Sequence, residues 1–142
     1  MSLFAHQDRN ALRASWREAW QRRCTGLPLQ PLQAQIADVV SEHPEYHQWL
    51  ASEAAQQSDF SPEGGRENPF LHMSLHLAIH EQVATDRPSG IALLYRRLVA
   101  SAGSAHAAEH RMLEVLATEI WDAQRAGRAP DEAAYLQRLR SL

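Results

Sequence analysis

The chain has very little cysteine: Cys24 is the single cysteine among 142 residues. One thiol cannot form a disulfide within the chain, and it cannot supply zinc or iron–sulfur sites that need several thiolate ligands. Cys24 lies just before Thr25 and Gly26, with no histidine at a catalytic spacing, so we interpret it as structural rather than nucleophilic. Any metal site must therefore use nitrogen and oxygen ligands.

Long apolar runs and an excess of positive charge are also missing. No window approaches the roughly 18 consecutive apolar residues of a transmembrane helix, and the N-terminus lacks a signal-peptide pattern. The formal net charge is -3, whereas a nucleic-acid-binding domain usually carries a basic face. We expect a cytoplasmic protein whose partners are neither membrane nor nucleic acid.

Strand-like alternation, internal repeats and a glycine-rich phosphate loop are absent, and apolar residues recur instead at helical spacing. Prolines and glycines mark the helix ends. The predicted helices cover about residues 7–23, 31–42, 44–50 and 70–83, then a segment after Asp86-Arg87-Pro88 that carries Leu93, Leu94 and Leu98 and stops at Gly103, then about 104–126 and a short segment from 130. We predict one all-α domain over residues 1–142, a bundle of five to seven helices in mostly up-and-down order.

Two further features concern the surroundings of a possible site. Residues 58–68 combine turn formers without periodicity, which predicts the longest loop, either a wall of a metal pocket or an interface element. The four tryptophans, Trp16, Trp20, Trp49 and Trp121, lie on three predicted helices and are spaced as core or groove residues. We expect core packing rather than a cofactor box.

Histidine has the most unusual placement in the chain. Seven of the eight histidines fall in four pairs at i,i+4 spacing, where random placement would give about 0.4 pairs. The pairs are His43/His47, His72/His76, His76/His80 and His106/His110. Side chains four residues apart lie on one face of a helix, so two imidazoles at this spacing can share an ion. The pattern predicts a transition-metal site.

Two helices are expected to supply the ligands. His72 and His76 lie on one apolar stripe, while His106, His110 and Glu114 follow one another at the same spacing on another. Antiparallel packing would bring four nitrogens and a carboxylate together, as in metal sites of helical bundles. Burying these imidazoles without partners would cost a few kcal/mol each. The predicted ions are iron, manganese or zinc.

Four other residues are secondary candidates. Glu109 falls within the same stripe and would be a second carboxylate. His80 either extends its stripe as a further ligand or lies at its edge. His43 and His47 are either ligands or close a turn, because His43 precedes Pro44 and is pushed out of the helix.

Several segments resemble the proteobacterial family called domain of unknown function 1841. They are His43-Pro-Glu-Tyr-His47, Pro62-Glu-Gly-Gly65, Asn68-Pro-Phe-Leu-His-Met-Ser-Leu-His76, Glu81-Gln82, His106, His110, Glu114, Trp121 and Ala123-Gln-Arg-Ala-Gly127. The resemblance covers almost the whole chain and implies a small bacterial cytoplasmic protein. The family's name carries no activity.

A looser similarity is to hemerythrin-type di-iron bundles, which also place His-x-x-x-His and His-x-x-x-Glu on neighbouring helices. Here those spacings occur at His72/His76 and His110/Glu114. Equivalents of the remaining hemerythrin ligands are not recognisable, and the Glu-x-x-His repeats of ferritin-like proteins are absent from both clusters. A mononuclear and a dinuclear site both remain open.

Three functions are compatible with these observations. The first is a bacterial metalloprotein with a His/Glu site. The second is a non-enzymatic helical adaptor with a protein partner, whose histidines are structural or respond to pH. The third is a zinc-dependent transferase or hydrolase resembling the DinB-like bundles, which use about three histidines from separate helices. The sequence specifies no catalytic residue, substrate or oligomeric state.

Overall fold

The structure is a computed structural model that describes residues 6–52, 55 and 68–142. These residues form seven α-helices and no strand, which confirms the predicted all-α fold. The helices are α1 (His6–Thr25), α2 (Pro31–Ser41), α3 (His47–Ala51), α4 (Pro69–Thr85), α5 (Ile91–Ala102), α6 (Ala105–Ala126) and α7 (Glu132–Arg140), with a 3₁₀ helix at Pro44–Tyr46. The loop predicted at 58–68 lies, apart from Asn68, outside the described residues.

The chain divides into two compact units, Met1–Met73 and Ser74–Leu142, and the boundary falls within α4. A single domain over residues 1–142 stays a prediction. Among the described helices, none has the length and apolar character needed to cross a membrane.

The amino-terminal unit is built on the packing of α1 and α2. Its buried apolar side chains are Trp16, Ala19, Ile36, Ala37, Val39, Val40, Leu50, Ala55, Phe70 and Met73. Arg23 on α1 also donates to the Asp38 carboxylate on α2, at 3.0 Å. Arg13 is buried, donates to the Ala55 carbonyl at 3.3 Å and lies over the Phe70 ring, 4.9 Å from its centroid. The buried guanidinium is thereby stabilised by a carbonyl and an aromatic face.

The carboxy-terminal unit comprises the second part of α4 with α5, α6 and α7. Its core residues are Ile79, Ile91, Leu94, Leu98, Ala108, Met112, Leu113, Leu116, Tyr135 and Leu139. The Tyr135 hydroxyl donates to the Gln82 side chain at 2.7 Å, and burial raises the pKa of Tyr135 above its usual value. The buried Glu119 carboxylate accepts the Asp131 backbone N–H at 2.9 Å, at the start of α7. These contacts hold α7 against α4 and α6.

The tryptophans do not share one environment. Trp16 is buried with 1% of its surface exposed, Trp20 and Trp49 are partly buried, and Trp121 is 58% exposed. On α6, at about 100° per residue, Trp121 lies about 140° away from the buried Leu116. The expectation of core packing is therefore wrong for Trp121.

Helix α6 has the ends that its sequence predicts. The Ser104 hydroxyl accepts the Ala107 backbone N–H at 3.0 Å, as a helix N-cap does. Gly127 follows the helix with φ +66°, in the left-handed region that glycine adopts at least cost. The histidines of α6 therefore lie in its first two turns, directly after the cap.

Replacing Ser104 with alanine is expected to lower the free energy of unfolding by about 1 kcal/mol, because one amide at the start of α6 loses its acceptor. Urea unfolding of the wild type and the variant measures this difference. Ser104→Asp is the matched control, because aspartate also caps helices and should retain most of the stability. Equal stability of Ser104→Ala and the wild type would contradict the capping role.

Candidate metal centre

Three predicted ligands lie together in the carboxy-terminal unit, where α4 supplies His76 and α6 supplies His106 and His110. The His76 ring centroid is 5.4 Å from that of His106 and 4.9 Å from that of His110. The His106 and His110 centroids are 4.3 Å apart. His76 is fully buried, and the other two are partly buried. The i,i+4 pair on α6 thus faces an imidazole of α4, and the ligand role of these three residues stays a prediction.

The nitrogens of His76 and His110 lie at a spacing that suits a shared ion, whereas His106 is in none of the groups with metal-ligand spacing among the described residues. A ring nitrogen of His76 and one of His110 are within 4.8 Å of each other. Two nitrogens that are each about 2.1 Å from one ion lie at most about 4.2 Å apart. Small rotations of the two side chains would therefore be enough to bring both nitrogens to the same ion.

Glu109 is the buried carboxylate beside this group. Its Oε1 accepts from His76 Nδ1 at 3.0 Å and from His80 Nε2 at 2.7 Å. Burial alone would raise the pKa of Glu109, but the hydrogen bonds from His76 and His80, together with their electrostatic attraction for the carboxylate, outweigh it and lower the pKa to about 2. Glu109 is therefore ionised at neutral pH. The His80 side chain is 31% exposed, and whether His80 is a further ligand stays a prediction.

Glu114 lies elsewhere, and the expectation that it belongs to the buried stripe is wrong. Its side chain is exposed. At about 100° per residue, Glu114 lies about 160° away from the buried Leu116, whereas Glu109 lies only about 20° away. Each step of four residues turns the helix by about 40°, so the series His106, His110, Glu114 rotates away from the core. Glu109 replaces Glu114 as the carboxylate close to the imidazoles.

The remaining predicted ligand, His72, lies in the amino-terminal unit beside His43. Their ring centroids are 5.2 Å apart, and a ring nitrogen of one lies within 4.8 Å of a ring nitrogen of the other. His43 is fully buried, and Tyr46 stacks on it at 5.8 Å. His72 is partly buried. Whether His72 shares an ion with His76, one turn further along α4, stays a prediction.

The end of α2 explains how His43 is held. Helix α2 stops at Ser41, and His43 adopts φ -126° and ψ 64° before Pro44, outside the helical region as predicted. His43 Nδ1–H donates to the Val39 carbonyl at 2.7 Å, which places the lone pair of the neutral ring on Nε2. A backbone carbonyl behind an imidazole is a common support for a metal ligand.

His47 is held at the same helix end as His43, but through Nε2 rather than Nδ1. Its Nε2–H donates to the Val40 carbonyl at 2.7 Å, and its ring packs against Trp20 with centroids 4.3 Å apart. These contacts favour the interpretation that His47 closes the turn after α2. Among the described residues, His47 is in none of the groups with metal-ligand spacing.

Sequence reasoning missed two pairings. It treated His43 as a secondary candidate, although His43 is the buried neighbour of His72. It also left Glu109 unconnected to His80, although both His76 and His80 donate to that carboxylate. The i,i+4 spacing of His76 and His80 was the available signal for the second pairing, since both side chains then face the same neighbour.

The described residues thus define an all-α protein in which histidine and glutamate side chains lie within metal-binding distance of one another. The chain belongs to the family described as domain of unknown function (DUF1841), which matches residues 8–141 and confirms the resemblance seen in the sequence. No significant match was found among curated proteins or among solved structures.

Proposed function

We propose that this protein binds a transition metal ion through clustered imidazoles, with His76, His106 and His110 at the centre of the site. The observation that supports the proposal most strongly is the close packing of these three rings from two helices, with His76 fully buried. Neutral imidazoles can supply several nitrogen ligands without bringing negative charge into the core. Such ligands suit iron, manganese and zinc.

The two clustered histidines of the amino-terminal unit, taken by itself, are also proposed ligands. His72 was predicted from its spacing to His76, and His43 joins it because their ring nitrogens lie within 4.8 Å of each other. The protein would bind one or two ions, and single substitutions in each unit can determine how many. A site with an open coordination position would bind and acidify water or, with iron, bind dioxygen, whereas a closed site would be structural.

Elemental analysis of untagged protein tests the proposal. We expect one or two equivalents of iron, manganese or zinc per chain, with the metal lost in His110→Ala and in His72→Ala because each removes a nitrogen ligand. The matched control is Glu114→Ala, which removes an exposed carboxylate on the same helix as His110 and should retain the metal. Loss of the same single equivalent in both histidine variants would indicate one ion, and loss of separate equivalents two.

A specific set of results would contradict metal binding. Absence of metal in the purified protein, no uptake on titration with these ions and an unchanged melting temperature would contradict the metalloprotein proposal. The helical adaptor would then be the better account, and one observation favours it: Trp121 exposes 58% of its surface on α6. Exposed tryptophans are typical of protein-binding surfaces. The adaptor alternative predicts that the protein folds equally well without metal.

The zinc-dependent DinB-like alternative predicts histidines from about three separate helices. In the carboxy-terminal unit the three clustered histidines come from only two helices, because His106 and His110 share α6. Metal binding, without a transfer or hydrolysis reaction, is therefore the function proposed for this protein.

A further inference from the structure

One oxygen of Glu109 connects two imidazoles of very different exposure. Oε1 lies 3.0 Å from His76 Nδ1 and 2.7 Å from His80 Nε2. The His76 side chain is 0% exposed and Glu109 only 4%, whereas His80 is 31% exposed. The carboxylate is therefore held from both sides, by a buried ring that belongs to the histidine cluster and by a ring at the edge of the core.

This arrangement determines which nitrogen of His76 carries a proton. An ionised carboxylate has only acceptor atoms, so each imidazole nitrogen that faces it must donate an N–H. His76 therefore carries its proton on Nδ1, and the lone pair of the neutral ring lies on Nε2. Only a nitrogen with a lone pair can bind a metal ion. His76 is thus prepared to bind through Nε2 before any ion arrives.

We infer that Glu109 is the positioning residue that fixes His76 as an Nε2 metal ligand, and that His80 holds Glu109 in place through the same oxygen. The metal part of this inference rests on the proposed function. A carboxylate behind a ligating imidazole orients the ring and makes its other nitrogen more basic. Neither Glu109 nor His80 needs to contact the ion for this role.

The metal-free protein provides the first test. Nitrogen-15 NMR of the histidine rings distinguishes the two neutral tautomers, and the wild type should show His76 mainly as the Nδ1–H form. Glu109→Gln keeps a side-chain oxygen as acceptor and should keep that tautomer. Glu109→Ala removes the acceptor and should give a mixture of tautomers. A wild type in which His76 is mainly the Nε2–H form would overturn the inference without any variant.

Metal affinity provides the second test, measured by competition with a chromophoric chelator for Zn²⁺. Loss of such an outer partner typically weakens metal binding about 10-fold to 100-fold, and we expect this for Glu109→Ala. Glu109→Gln should weaken binding less, because it loses the charge and keeps the acceptor. His80→Ala should leave the His76 tautomer unchanged, because the bond from His76 to Glu109 remains. The matched control on α6 is Glu114→Ala, which should bind Zn²⁺ as the wild type does.

The outcomes separate this inference from the proposed function. Wild-type protein that binds no Zn²⁺ would contradict the proposed function, while the NMR result would still decide the tautomer. Wild-type binding with unchanged affinity and tautomer in Glu109→Ala would overturn the positioning role and leave the metal site intact. Circular dichroism of each variant establishes that it is folded before its affinity is interpreted.

Discussion

Replacing His76 with alanine is expected to abolish high-affinity metal binding and to destabilise the metal-free protein. Two effects combine in this variant. The ion loses the nitrogen ligand that lies at the centre of the cluster, and the buried Glu109 carboxylate loses one of its donors. Leaving a buried acceptor with fewer partners costs about 1–3 kcal/mol. No other single histidine of the carboxy-terminal unit is fully buried among the described residues.

Urea unfolding with and without added metal separates the two effects. For the wild type, metal at 100 times its dissociation constant should add about 2.7 kcal/mol to the free energy of unfolding. His76→Ala should lose this increment and should also unfold at lower urea concentration without metal. The matched control is His47→Ala, which removes a partly buried histidine whose Nε2 is bonded to a backbone carbonyl. It should retain the metal increment, and an equal loss in both variants would contradict a specific role for His76.

Replacing Trp16 with alanine should have the largest effect on stability, about 3–5 kcal/mol. Trp16 is among the largest fully buried side chains, and it lies on α1, which packs against α2 in the amino-terminal unit. Its truncation removes buried apolar contacts and leaves a cavity that the surrounding helices fill only partly. Denaturant unfolding measures the loss.

Trp121→Ala is the matched control for this prediction, because it makes the same chemical change at a side chain that is 58% exposed. We expect a change within about 0.5 kcal/mol, as is usual for surface substitutions. Similar losses in the two variants would show that Trp121 is buried in solution. A large loss for Trp16 alone would support both the core of the amino-terminal unit and the corrected position of Trp121.

The helices could be predicted because their ends depend on local chemistry. Pro31 opens α2, Ser104 caps α6 and Gly127 ends it, and each of these acts through the backbone of its immediate neighbours. The departure of His43 from the helix is local in the same way, because Pro44 restricts the residue before it. Such features are present in the sequence regardless of how the helices pack.

The candidate site was only partly predictable, because its membership depends on helix rotation. The spacing of His106 and His110 placed both on one face, and the structure brings them to His76. Periodicity alone did not determine where the centre of the buried face of α6 lies, so Glu114 was preferred to Glu109. The contact between His43 and His72 joins distant parts of the chain, and no local pattern specifies it.

Helix α6 is long enough that substitutions near His110 and near Glu119 should affect the free energy of unfolding independently. His110 lies in its second turn, whereas Glu119, which accepts the Asp131 backbone N–H, lies nine residues later. At 1.5 Å per residue this separation is about 14 Å along the helix axis. Substitutions that far apart, with no shared partner, usually have additive effects on free energy. Double variants can therefore combine changes at the two ends of α6, and any departure from additivity would reveal energetic coupling between the histidine cluster and the carboxy-terminal helix.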